Sequence, residues 1–164
     1  YIIDDIDSWC PSIRSKSAIR TGKKRNFVDS SIAVAALGVG PKYFDKDFKT
    51  LGFLFECLCI RDLKAYSSLY DGTISYYHDS LEADAVLHLN DGRYALIEFK
   101  LGEHDVEQGA LHLCEIERLI EKYNSSEKQC PLSLPDLKIV ITGTKYGYRR
   151  EDGVLVIPIG CLKD

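Results

Sequence analysis

The sequence of 164 residues contains no methionine, a single tryptophan and only five prolines. No low-complexity segment or internal repeat is visible, which excludes solenoid and linker-like architectures. No apolar run approaches the roughly 20 residues needed to cross a bilayer, so no membrane association is expected. Six cysteines are present (Cys10, Cys57, Cys59, Cys114, Cys130 and Cys161), and none forms a CxxC pair. Cys57 and Cys59 lie two apart in a helical stretch. Side chains at that spacing point in different directions and cannot clamp one metal together. The expectation is free thiols in a reducing, cytoplasmic environment. The chain starts at Tyr1 with no initiator methionine and no signal-peptide pattern, which is expected of a piece excised from a longer protein.

What is present suits a folded domain. The chain is 45% hydrophobic and 28% charged, enough apolar material to bury a core. Its length suits one main domain, read as residues 46–164, behind a leader of residues 1–45. The net charge is −4, whereas a stand-alone nucleic-acid binder is more often basic. The charge is uneven, however. The stretch from Arg14 to Arg25 holds six basic residues and no acidic one. Arg20, Lys23, Lys24 and Arg25 could contact phosphates there. The other reading is a solvated loop, or a face docking on an acidic partner domain.

The hydrophobic pattern predicts the elements. Tyr1-Ile-Ile and Arg25-Asn-Phe-Val read as short strands, and Asp29 or Ser30 caps a short helix over Ile32 to Leu37 that stops at Gly38-Val-Gly-Pro41. Asp45 is expected to cap a largely buried helix from Phe48 to about Tyr70. Thr73 to His78, Glu82 to Leu89 and Arg93 to Lys100 read as strands, the last two joined by Asn90-Asp91-Gly92. An amphipathic helix follows from about Asp105 to Tyr123. Leu137 to Thr142 is a strand, Tyr146 to Asp152 a polar turn, and Val154 to Ile159 an edge strand, because Pro158 cannot donate to a ladder. The order implies an α/β (α+β) fold with a mixed β-sheet flanked by helices.

Asp84 and Glu98 lie about seven residues either side of the Asp91-Gly92 turn. They are therefore nearly opposite on one face, roughly 5 Å apart. Lys100 leaves the same face as Glu98. Glu56, in the preceding helix over Ile60 and Leu63, is a carboxylate in apolar company that needs a partner. Such a set could serve phosphodiester hydrolysis. Mg²⁺ (or Mn²⁺) takes one or two carboxylates and keeps several waters. Asp84 and Glu98 would be ligands, with Glu56 for a second ion or a ligand water and the Phe99 carbonyl as a third donor. Lys100 would orient or deprotonate the attacking water, or stabilise charge at phosphorus. From spacing alone, a solvated face of an antiparallel sheet is the competing explanation. Glu82 and His88 on the same nominal face favour it, while Val86 and Leu96 oppose it.

These residues, in order, resemble the PD-(D/E)XK nuclease superfamily: Phe55-Glu56 on a helix, Glu82-Ala-Asp84 on a strand, Ile97-Glu98-Phe-Lys100 on the next, then a helix. With Tyr43-Phe44-Asp45, Leu51-Gly-Phe-Leu-Phe-Glu56, Arg61-Asp62-Leu63, Tyr76-Tyr77-His78-Asp79-Ser80 and Ala95-Leu-Ile-Glu-Phe-Lys-Leu-Gly102, the chain is similar to a C-terminal domain of unknown function in bacterial and archaeal AAA-type ATPases. The resemblance implies a restriction-endonuclease-like core and an ATPase module upstream; the chain itself has no P-loop GxxxxGK[ST]. It also implies catalytic roles for Glu56, Asp84, Glu98 and Lys100, and a polar site residue at Gln108. A non-catalytic module that binds DNA or protein and regulates the ATPase is the alternative.

Overall fold

A computed structural model describes residues 2–11, 22–78, 81–126 and 130–162. Strands β1 (Ile3–Ile6) and β2 (Lys24–Phe27) form an antiparallel pair. Helix α1 (Ser30–Leu37) is capped by Asp29, whose side chain accepts from Ser31 N, and ends at Gly38 with φ of 64°. A one-turn helix α2 (Pro41–Phe44) precedes the long helix α3 (Phe48–Ser67). Asp47 rather than Asp45 caps α3, accepting from Thr50 N at 3.1 Å. The α2 turn already contains Asp45 at its end, so the free cap position falls two residues later.

The main sheet has six strands in the order β3-β4-β5-β6-β8-β7. They are β3 (Thr73–His78), β4 (Glu82–His88), β5 (Tyr94–Lys100), β6 (Leu137–Thr142), β7 (Tyr148–Arg149) and β8 (Leu155–Pro158). Helix α4 (Val106–Ser126) crosses from β5 to β6 and so allows their parallel pairing. The expected polar turn at 146–152 contains β7, which pairs with β8. As a result β8 is not an edge strand. Pro158 lies beyond Leu155 and Val156, the two residues that β7 covers, so its missing N–H interrupts no β7 ladder.

Each sheet face is covered by one helix. Phe55, Cys59, Ile60 and Leu63 of α3 pack with Ile74, Ala85, Ala95, Ile97 and Phe99. On the other face Val106, Ala110, Leu113, Ile116 and Ile120 of α4 pack on Val86, Leu96, Val140 and Val156. The alternation along β5 therefore holds as the sequence predicts. Along β4 it does not. Tyr77 pairs with Ala83 but Ser75 pairs with Val86, so β4 carries one extra residue and bulges between them. Ala83 and Val86 both reach the α4 side as a result. The N-terminal hairpin joins the same body: Ile6 is buried with the α3-side core, and Trp9 N–H donates to Tyr76 O on the β3 edge.

All six cysteines are free, and Cys57 and Cys59 are buried. No helix among the described residues is long and apolar enough to cross a membrane.

Candidate functional site

Four acidic side chains and two lysines meet at the end of the sheet where β4 begins and β5 ends. Asp84 occupies the β4 bulge. The regular pairing of β4 with β5 runs from His88 only as far as Ala85 opposite Ile97. Beyond it, the Asp84 carboxylate accepts from Phe99 N–H at 2.8 Å. Bulged residues are commonly re-aimed in this way, and the bond fixes the carboxylate beside Glu98.

Glu98 is 3% exposed, covered by the α4 helix. Burial, and then the negative charge of Asp84, push its carboxyl up to about 7, against the opposing pull of Lys100. Lys100 Nζ lies 2.7 Å from Glu98 Oε2. Burial is the largest influence on Lys100 and acts to discharge it. The surrounding Glu98, Asp84 and Asp105 outweigh that and raise its pKa, so it stays an ammonium. Gly109 of α4 makes room for this pair. A Cβ built there would lie 3.0 Å from Lys100 Cε and 3.5 Å from Glu98 Cβ.

Glu56 comes from α3, on the other side of the sheet, and reaches the same end. Burial raises its pKa most, Asp84 and Glu82 add to that, and Lys24 opposes it. Lys24 Nζ sits 2.6 Å from Glu56 Oε1 and 4.0 Å from Glu82 Oε1. Glu56 Oε1 is buried, and the Lys24 ammonium is what compensates its charge there. Among the described residues, no three His, Cys, Asp or Glu side chains are gathered tightly enough to hold a metal ion as they stand. The ammonium groups of Lys24 and Lys100 supply the local positive charge.

The structure thus brings together the four residues singled out from the sequence, and adds Lys24, Glu82 and Gly109. The sequence pointed to Lys24 only as a phosphate contact. A glycine inside an otherwise regular amphipathic helix was the one available signal for Gly109. Gln108, next to it, is exposed. Of the basic stretch, Lys23 pairs with Asp7 at 3.2 Å and Arg25 with Asp5 at 3.8 Å, both on the surface; Arg20 lies outside the described residues. Arg61 bonds Asp62 at 2.8 Å and Asp29 at 3.1 Å, a structural tie between α3 and the α1 cap. His88, at the far end of β4, lies 3.2 Å from Ser75 Oγ and stacks on Trp9, and burial lowers its pKa. A cavity of about 510 Å³ lined by Ser67, Tyr70, Leu87 and Arg93 lies near the β4–β5 turn and contains none of the four acids.

Residues 51–162 match the family model described as Domain of unknown function (DUF4143). The chain belongs to the DUF4143 family. The match starts in α3 and takes in every strand of the main sheet, hence Glu56, Asp84, Glu98 and Lys100. No curated protein and no solved structure matches this DUF4143 chain at a significant level.

Proposed function

We propose that this DUF4143 domain is a metal-dependent, PD-(D/E)XK nuclease-like module acting on phosphodiesters of DNA or RNA, with a restriction-endonuclease-like core. One observation carries the reading: a carboxylate almost wholly buried, Glu98, lies beside the re-aimed Asp84 and a retained ammonium, Lys100. Burying such groups costs several kcal/mol unless something repays it, so a purely structural explanation is expensive.

The donor set fits a hard divalent cation such as Mg²⁺ or Mn²⁺. It is all oxygen, partly buried and in excess of the local positive charge, with four carboxylates facing two ammonium groups. A bound ion would neutralise developing charge on a phosphodiester and acidify a water. Asp84 and Glu98 are the residues to hold it. Glu56 would secure a ligand water or a second ion. Lys100, held by Glu98 and carrying its charge, would orient the attacking water and stabilise the charge that builds on the phosphate oxygens. Nucleic acid is then the partner. An AAA-type ATPase module on the same full-length protein would deliver it.

Calorimetric titration with Mn²⁺ tests the metal site. Wild type should bind, while Asp84→Ala and Glu98→Ala should each lose at least about tenfold in affinity, already the cost of losing a partner that only supports a ligand. Equal binding by all three, or by none, overturns the site. Plasmid nicking with Lys100→Ala as the control then separates a cutting enzyme from a binding module. The second reading, a regulatory module that binds DNA or protein without cutting, is favoured by the net charge of −4.

A further inference from the structure

We propose that Lys24 is a resident cation of the acidic site, and that its ammonium opposes the entry of a divalent ion. This inference rests on the metal-site reading above and specifies how that site is regulated.

The hairpin aims Lys24 inward by alternation. Lys23 and Arg25 have side chains 58% and 79% exposed, whereas that of Lys24 is 22% exposed. Asn26, on the same side two residues on, is buried as well. The backbone that carries Lys24 is anchored. Lys24 pairs with Ile6, which sits in the core, and the strand after Ile6 joins β3 through Trp9 and Tyr76. The mobile part is therefore the four-carbon side chain, which can swing its charge by several ångströms while β2 stays in place.

Its destination explains the rest. The ammonium contacts Glu56, approaches Glu82 and feels the charge of Asp84. A divalent ion held by Asp84 and Glu98, with Glu56 on a ligand water or a second ion, would draw on two of these three, Asp84 and Glu56. An ion drawing on Glu56 competes with the Lys24 ammonium for that carboxylate, and the two cations repel in a partly buried site, so ion binding and the Lys24–Glu56 contact oppose each other. By linkage, whatever pulls Lys24 away raises ion affinity, and ion binding frees Lys24. The phosphate backbone of a nucleic acid is the class of ligand able to take up the released ammonium, so substrate arrival would load the ion.

The test is Mn²⁺ titration of the whole chain as wild type, Lys24→Gln and Lys24→Arg. Lys24→Gln should bind about tenfold more tightly, and Lys24→Arg within about twofold of wild type, as expected for a coupling that depends on charge. If wild type binds in an Asp84-dependent way and Lys24→Gln binds equally or more weakly, the resident-cation role is wrong while the metal site stands. If none of the proteins binds, the metal site fails and takes this inference with it. Thermal unfolding separates the role from simple support of the fold. Lys24→Gln should melt lower than wild type without ion and gain more from Mn²⁺; an equal gain overturns the proposal. Should Lys24→Gln fail to fold, the side-chain ¹⁵Nζ resonance of Lys24 in wild type decides. It should shift as Mg²⁺ saturates the protein, and a fixed resonance overturns the proposal.

Discussion

At the scale of single residues, Glu98 makes stability depend on pH in a direction opposite to that of an ordinary salt-bridged carboxylate. Its ordinary value is 4.5, and burial with the Asp84 charge moves it up to about 7 in the folded chain. Between those values the folded protein holds a proton that the unfolded chain releases. Stability contributed by the protonated form is thus complete below about pH 4.5 and declines as pH rises through about 7. Glu98→Gln removes this dependence. Urea denaturation should find the variant gaining on wild type from pH 4.5 to pH 8, by up to on the order of 3 kcal/mol. A constant difference across that range would mean that Glu98 is not held in this state. The residue was legible in the sequence because alternation along β5 put it on one sheet face with Lys100; that α4 covers this face was not. Its titration was not, because that depends on the helix laid over it and on Asp84 across the strand.

At the scale of elements, the bulge in β4 and the glycine in α4 shape the site. A helical Gly→Ala change normally gains about 1 kcal/mol in propensity. At position 109 the new methyl would press on Lys100 Cε and Cγ at 3.0 and 3.3 Å. Gly109→Ala should therefore leave global stability within about 1 kcal/mol of wild type, propensity and crowding offsetting each other. It should also displace Lys100 from Glu98 and lower any Mn²⁺-dependent nicking at least about tenfold, since a misplacement of about 1 Å in a catalytic arrangement can cost about 100-fold. Denaturant melts and the nicking assay check the two halves, and an unchanged nicking rate in a stable variant would remove Lys100 from the mechanism. Strand limits were readable because β5 and β6 are strongly patterned. The Asp84 bulge was not, since Ala83, Asp84 and Ala85 give no apolar signal to show that the period has slipped by one. The cap of α3 moved from Asp45 to Asp47 for a similarly local reason, the intervening α2 turn.

At the scale of the whole molecule, the sheet between α3 and α4 sets the distance across which Glu56 and Glu98 must meet. Leu113 is fully buried at the centre of the α4 face. Leu113→Ala should cost about 2–5 kcal/mol, the range for a core leucine that leaves a cavity. Thermal denaturation with and without Mn²⁺ checks it. Loss of stability with the ion response retained is expected, because the residue packs in the apolar cluster beneath α4 and carries no group that could hold the ion. A cost under about 1 kcal/mol would mean that α4 packs more loosely than its burial implies.

The sequence by itself determined the α+β class, the strands that carry Asp84, Glu98 and Lys100, and the helix that carries Glu56, because periodicity and short-range spacing are local properties of the chain. The tertiary structure alone decided three things. The N-terminal hairpin brings Lys24 to Glu56 across 32 residues of sequence, β7 lies outside β8, and Gly109 is the point where α4 touches the site. Each is a contact between segments distant in sequence, set by how the two cores close on the sheet, and no pattern within one segment encodes such a contact.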